Sequence, residues 1–262
     1  MTEQLYSLSG YPKPPGVWGV DISKWQDAPG TLWEPDLQKL VDAGMKFCFV
    51  RASYGKNKDI DFDYNWHEAK RVGLLRGAYH YIDWYSSELD QARLFVDILR
   101  SDPGELPPVA DYECKLNAPP REIAQGKLWN FVSYVEKELN ITPMIYSGYF
   151  LWAELGNPGA GWERFPLWLP WYRPMFMGLP AKPKIPKPWN KYTFWQYDDK
   201  GDGLKLGMES KQIDLNVFNG SMEELLAFAK HAPEPHDNPT DEISDAAKLT
   251  ILWKDYEERI KK

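Results

Sequence analysis

Two acidic residues two positions apart, Asp111 and Glu113, are the first features of the sequence that could do chemistry. They lie in Val109-Ala110-Asp111-Tyr112-Glu113, a short strand candidate entered from the stiff Pro107-Pro108. Residues two apart on a strand face the same side, about 6.6 Å apart at ~3.3 Å per residue. Both carboxyls would then project together past an outward-turned Tyr112. Ionised neighbours repel, so one pKa tends to rise. A protonated carboxyl beside an ionised one is what glycoside hydrolysis requires. Taken alone, the pair also reads as two solvated acids on an edge strand. Two further acids change that reading: Asp21 in Val17-Trp18-Gly19-Val20-Asp21-Ile22-Ser23, and Asp214 in Ile213-Asp214-Leu215-Asn216.

The elements that would position these acids alternate along the chain. Residues 17–23 form the first strand candidate, followed by Lys24-Trp25-Gln26 in a loop and a helix over 35–44 that stops at Gly44. A strand over 46–52, a helix over 63–72 and a strand over 74–81 come next. The helix over 87–100 is amphipathic, with Leu89, Ala92, Phe95, Val96 and Leu99 on one face. After the Asp111 strand come a helix over 121–139, a strand over 142–147 and a short helix over 149–155. Leu167-Trp168-Leu169, residues 192–197 and residues 212–218 supply three more strands. The helix over 221–231 carries Ser221 and Glu224 in capping-box spacing. The expected fold is therefore α/β, an irregular TIM-like barrel of five β/α units followed by three strands. In a closed barrel of eight strands the first and eighth are neighbours, and chemistry sits at the C-terminal ends. Asp21, Asp111, Glu113 and Asp214 would converge on one mouth.

Composition narrows the function classes. With 262 residues the chain can bury a sizeable core, and a net charge of −7 is not a nucleic-acid footprint. No apolar run has the length of a membrane span. Aromatic residues reach 15%, including 13 Trp and 15 Tyr, and their rings suit stacking on the apolar faces of sugars as well as core packing. Cys48, within Phe47-Cys48-Phe49-Val50, reads as a buried free thiol. Disulfide bonding with Cys114 is not indicated, and no Cys/His cluster has metal-ligand spacing. The expectation is an enzyme without metal or organic cofactor. Residues 1–16 read as a polar, Pro-rich leader packed on the domain rather than a secretory signal. Residues 17–231 would be the catalytic barrel, 232–239 a linker, and 240–262 an amphipathic helix with Leu249, Leu252, Trp253, Tyr256 and Ile260 in one stripe.

Several segments together resemble glycoside hydrolase family 25, the lysozymes of the Chalaropsis type. Gly19-Val20-Asp21-Ile22-Ser23-Lys24-Trp25-Gln26 resembles the family's opening motif. Phe49-Val50-Arg51-Ala52-Ser53-Tyr54-Gly55, Gly77-Ala78-Tyr79-His80-Tyr81 and Asp111-Tyr112-Glu113 follow. Ile145-Tyr146-Ser147, residues 167–172, Trp195-Gln196-Tyr197 and Ile213-Asp214-Leu215-Asn216 complete the order, so the likeness spans roughly residues 17–220. It implies hydrolysis of the β-1,4 bond between N-acetylmuramic acid and N-acetylglucosamine in bacterial peptidoglycan.

By this resemblance Glu113 is the general acid, and Asp111 or Asp214 stabilises positive charge at the sugar. That step proceeds by direct attack or by orienting the substrate's 2-acetamido group. Asp21 tunes charge. Tyr79, Tyr81, Tyr146, Trp168, Tyr172 and Trp195 are the candidates for lining the sugar cleft. His80 alternates with two tyrosines and faces away. The expected setting is a phage or prophage endolysin, made in a host cytoplasm and reaching the wall after release or on a virion. Alternatives are a phage-tail or bacterial autolytic lysozyme, or a non-catalytic wall-binding module. The last has no reason to hold a mutually repelling acid cluster. The helix over 240–262 folds back on the barrel or mediates oligomerisation or docking to a partner protein. On the docking reading, deleting residues 233–262 changes the light-scattering mass or the location of the protein more than its activity. Unchanged mass and unchanged location would count against it.

Overall fold

Apolar residues alternate along the strands between two separate cores, and that double burial is what closes the sheet. The chain was analysed as a computed structural model, which describes residues 6–10, 13–27, 34–113, 115, 117–172 and 182–230. The strands are β1 (Val17–Ile22), β2 (Phe47–Tyr54), β3 (Asn57–Lys58), β4 (Leu75–Tyr81), β5 (Val109–Asp111), β6 (Met144–Tyr146), β7 (Leu167–Pro170), β8 (Phe194–Asp202) and β9 (Gln212–Phe218). The helices are α1 (Gln38–Asp42), α2 (Phe62–Arg71), α3 (Glu88–Leu99), α4 (Arg121–Leu139), α5 (Tyr149–Glu154) and α6 (Met222–Lys230). The sheet runs β1-β9-β8-β7-β6-β5-β4-β2, and β1 pairs with β2 to close the ring; β3 is a short hairpin partner of β2. No helix among the described residues is long and apolar enough to cross a membrane.

The barrel of five β/α units followed by three strands is present, with one difference of direction. β9 is antiparallel to both β8 and β1, whereas β1, β2 and β4–β8 run parallel. Residues 203–211, between β8 and β9, are too few for a parallel crossover, which takes a dozen or more residues. The reversal puts the start of β9, not its end, at the mouth. β8 also extends five residues beyond the expected Tyr197, to Asp202, and forms a long hairpin with β9. The N-terminal segment clasps this hairpin. Ser7 bridges Gly201, Leu8 N–H donates to Lys200 O at 2.7 Å, and the Ser7 and Ser9 hydroxyls donate to Asp198. Lys24–Gln26, expected as loop, is a 3-10 turn capped by Ser23. α1 is shorter than the expected 35–44, because Asp36 Oδ1 caps Gln38 N–H at 3.2 Å and Gly44 (φ +87) ends it. The expected linker 232–239, the helix over 240–262, residues 173–181 of the long loop and Cys114 lie outside the described residues.

Outward-facing Val20, Val50, Ala78, Ala110 and Ile145 pack with Phe95, Phe131 and Val132 of the helices. Buried His80 is also on this outer side. Its Nε2 meets Gln91 Oε1 at 3.0 Å, an oxygen that also accepts from Asp83 N–H, so Nε2 is the donor and Nδ1 accepts from Ser53. Burial pushes its pKa down to about 4, so it is neutral and structural.

The inner core is Phe47, Phe49, Val109, Met144, Trp168, Phe194 and Phe218. A narrow barrel admits rings this large only beside positions without side chains. Phe47 lies against Gly19 of β1, and Phe49 against Gly77 of β4, each directly opposite in register. A Cβ on Gly77 would sit 2.3 Å from the Phe49 ring. Gly77→Ala is therefore expected to cost about 1–3 kcal/mol, read as a lowered midpoint in denaturant unfolding. An unchanged midpoint would show that the ring has room to move.

Candidate active site

Phe49 supports Trp168, whose ring stacks on it at 4.4 Å and 22°. Tyr79 and Tyr146 meet Trp168 edge-on at 6.1 and 4.7 Å. This aromatic layer is the floor of a cleft of about 500 Å³ at the barrel mouth. Asp21, Asp111, Glu113 and Asp214 all stand around it.

Asp21 is held by a two-armed network. Gln196 Nε2 and Asn216 Nδ2 each donate to Asp21 Oδ2 at 2.7 Å. The amide orientations are forced. Trp168 Nε1–H can only donate, so it fixes Asn216 Oδ1 at 2.8 Å and turns the amide nitrogen towards Asp21. Tyr146 donates to Gln196 Oε1 at 2.6 Å, and the Tyr172 hydroxyl donates to the same oxygen. Burial nevertheless raises Asp21 to about 7, against the pull of the two amides.

Asp214 faces Asp21 directly across the antiparallel β1–β9 ladder. Burial and the facing carboxylate raise it to about 9. The two carboxyls share a hydrogen bond, and its proton belongs to Asp214, because Asp21 already accepts two amide donors. Near neutral pH Asp214 is thus an acid and a donor, not a nucleophile.

Asp111 ends β5, which lies between β4 and β6 rather than at an edge, and its side chain is buried. Tyr112 turns outward, packing edge-on against Trp84 and Trp152 at 5.7 and 6.5 Å. Glu113, just past the strand, is the exposed acid of the four. The cleft walls still strip enough water from its carboxyl to raise its pKa, so burial rather than neighbouring charge is the main cause. Among the described residues no group of three or more His, Cys, Asp or Glu side chains is arranged to hold a metal ion.

Of the six aromatics expected in the cleft, Tyr79, Tyr81, Tyr146 and Trp168 line it. Tyr172 reaches it through Gln196. Trp195 faces the other way: its indole donates to Trp171 O at 3.0 Å and its ring packs on Tyr192 and Tyr197. The inward residue of that strand is Gln196. Gln196 and Asn216 were not singled out in the sequence as site residues, nor were Arg51, Tyr54, Lys24 and Trp25 of the cleft wall. The signal was the period of two: Asn216 lies two residues from Asp214, and Gln196 two from Phe194.

A model of glycosyl hydrolases family 25 matches residues 20–204. The chain belongs to glycoside hydrolase family 25. Lysozyme M1 of Streptomyces globisporus is 30% identical over 230 residues, covering 82% of this chain and 72% of that protein. The uncharacterized protein YegX of Escherichia coli (strain K12) is 33% identical over 220 residues, covering 81% and 73%. Among solved structures, the bacterial lysozyme from Streptomyces coelicolor superposes with a TM-score of 0.69 at 27% identity, covering 84% of this chain and all of that one. Family 25 membership makes the chain a glycoside hydrolase. The matched stretch contains Asp21, Asp111 and Glu113 and ends before Asp214.

The paired acids set a pH dependence. A carboxyl with a raised folded-state pKa binds more protons folded than unfolded, so stability falls as pH rises from its ordinary value of 3.8 through the folded value of about 9. The Asp214→Asn variant of this family 25 chain is expected to lose less melting temperature than the parent between about pH 5 and about pH 9. Equal slopes for the two proteins would remove Asp214 as the source.

Proposed function

We propose that this family 25 hydrolase is an N-acetylmuramidase, cleaving the β-1,4 bond between N-acetylmuramic acid and N-acetylglucosamine of peptidoglycan. The observation that carries the reading is Glu113, solvent-reachable with a raised pKa, beside buried Asp111 over an aromatic floor. Glu113 protonates the leaving glycosidic oxygen, a task that needs a carboxyl still protonated near the working pH. Asp111 meets the cationic sugar carbon, either directly or by orienting the neighbouring acetamido group. Asp214 is excluded from that step by the proton it holds against Asp21. Asp21 is a positioning residue, fixed by Gln196 and Asn216. Lysozyme relatives of the same family support the choice of peptidoglycan.

Glu113→Gln is expected to lower the release of reducing ends from purified peptidoglycan by about 10²–10⁴-fold, with the circular dichroism spectrum unchanged. Retention of most activity would sink the assignment. The proposed setting is phage or prophage lysis. A holin gene beside this one is the expected finding, and a bacterial wall-turnover operon would overturn it.

A further inference from the structure

The acids are not the only charges in the cleft. Arg51 of β2 also lines it and is 9% exposed. Its Nε donates to Asp59 Oδ2 at 2.7 Å, and Asp59 is buried. Nη2 is buried and has no hydrogen-bond partner. A buried guanidinium donor without an acceptor is costly to keep, so its presence beside reactive carboxyls calls for an acceptor that arrives with the substrate.

The surroundings of Arg51 are built to hold it in place. Asp59 Oδ2 also accepts from Lys24 N–H at 3.3 Å, tying the 3-10 turn after β1 to β2. The Tyr54 ring is flanked by Lys24 Nζ at 5.2 Å and Arg51 Cζ at 5.4 Å, both in cation–π range. Lys24 Nζ lies 5.0 Å from the ring of Trp25, which stands exposed at the rim. Arg51 and Lys24 stand against the charges of Asp59 and Asp61, so the cations of the cleft lining are all on this wall, on the side of β2. The rest of the mouth is acidic and would repel an anion. A neutral polysaccharide has no group that requires such a wall.

We propose that Arg51, backed by Lys24, is a carboxylate-binding subsite that takes an acid group carried by the glycan beside the scissile bond and selects anionic chains over neutral ones. The inference rests on the muramidase reading and specifies which feature of the substrate is read. The carboxylate has two sources: the lactyl ether of muramic acid where the peptide has been removed, or the acid groups of the attached stem peptide. The Arg51 guanidinium can pair with either one through charge-assisted hydrogen bonds.

The test uses the full chain and three probes: muramic-acid glycan stripped of peptide, the same glycan with its lactyl carboxyl methyl-esterified, and intact peptide-bearing glycan. At least one acid-bearing form is expected to exceed the ester roughly 10- to 100-fold in kcat/KM, mostly through KM. Advantage confined to the stripped glycan assigns the lactyl group, and advantage confined to the intact glycan assigns the peptide. All three within about twofold overturns the subsite. Should none be cleaved, the muramidase reading fails. Calorimetric binding of the same probes then decides the subsite separately: tighter binding of an acid form supports it, and equal or absent binding overturns it. Arg51→Lys, and Arg51→Gln combined with Asp59→Asn so that no buried carboxylate is left unpaired, should collapse the acid-to-ester ratio. A purely structural role lowers both glycans by one factor and keeps the ratio. Where these variants do not fold, the comparison of probes on the unaltered chain still gives the answer.

Discussion

Two carboxyls placed directly opposite each other on antiparallel strands, and largely stripped of water, are the constraint around which the barrel mouth is built. Like charges in that position are destabilising, and burial sharpens the repulsion. The protein resolves it by asymmetry. Asp21 receives two amide donors and is the readier of the two to ionise, while Asp214 keeps a proton. That asymmetry depends on the amides pointing the right way, which depends on the Trp168 indole and the Tyr146 hydroxyl. Trp168 is supported by Phe49, and Phe49 fits only because Gly77 has no side chain. A glycine in the lower barrel and an acid at its mouth thus belong to one mechanical chain.

The same layer explains how the fold performs chemistry. Aromatic rings under the carboxyls exclude water, and desolvation is the first cause of the raised pKa of Asp21, Glu113 and Asp214 alike. Yet the acids end in different states because their hydrogen bonds differ. Asp214 is neutralised, Asp21 is fixed, and Glu113 faces solvent where a substrate can take its proton. A cluster of this kind opposes folding, and the two interlocking cores beneath it supply the stability that keeps it assembled.

Much of this was legible in the sequence. Strand and helix alternation specified the barrel, and the four acids named from their positions all stand around one cleft. Faces were harder to read. In most barrel strands both sides are buried, so apolar pattern does not say which side is inward. Phe194 and Trp195 are both large aromatics, and only the hydrogen bond of Gln196 to Asp21 shows which way β8 is turned. His80 was readable because tyrosines flank it. The direction of β9 turns on the length of its connection, hidden by the five unassigned residues at the end of β8. Arg51 sits within a recognisable segment, but its unpartnered Nη2 depends on Asp59, eight residues on, meeting only Nε.

The pairing of β9 with β1 has a consequence for how the protein is made. Asn216 and Asp21 are 195 positions apart, and Gln196 and Asp21 are 175 apart. β1 leaves the ribosome early, yet its carboxylate meets its amide donors only when almost all of the barrel has been synthesised. A nascent or truncated chain ending before β9 therefore has an open sheet and an acid without its counterpart. Catalytic competence arrives with the last strand of the barrel to be translated.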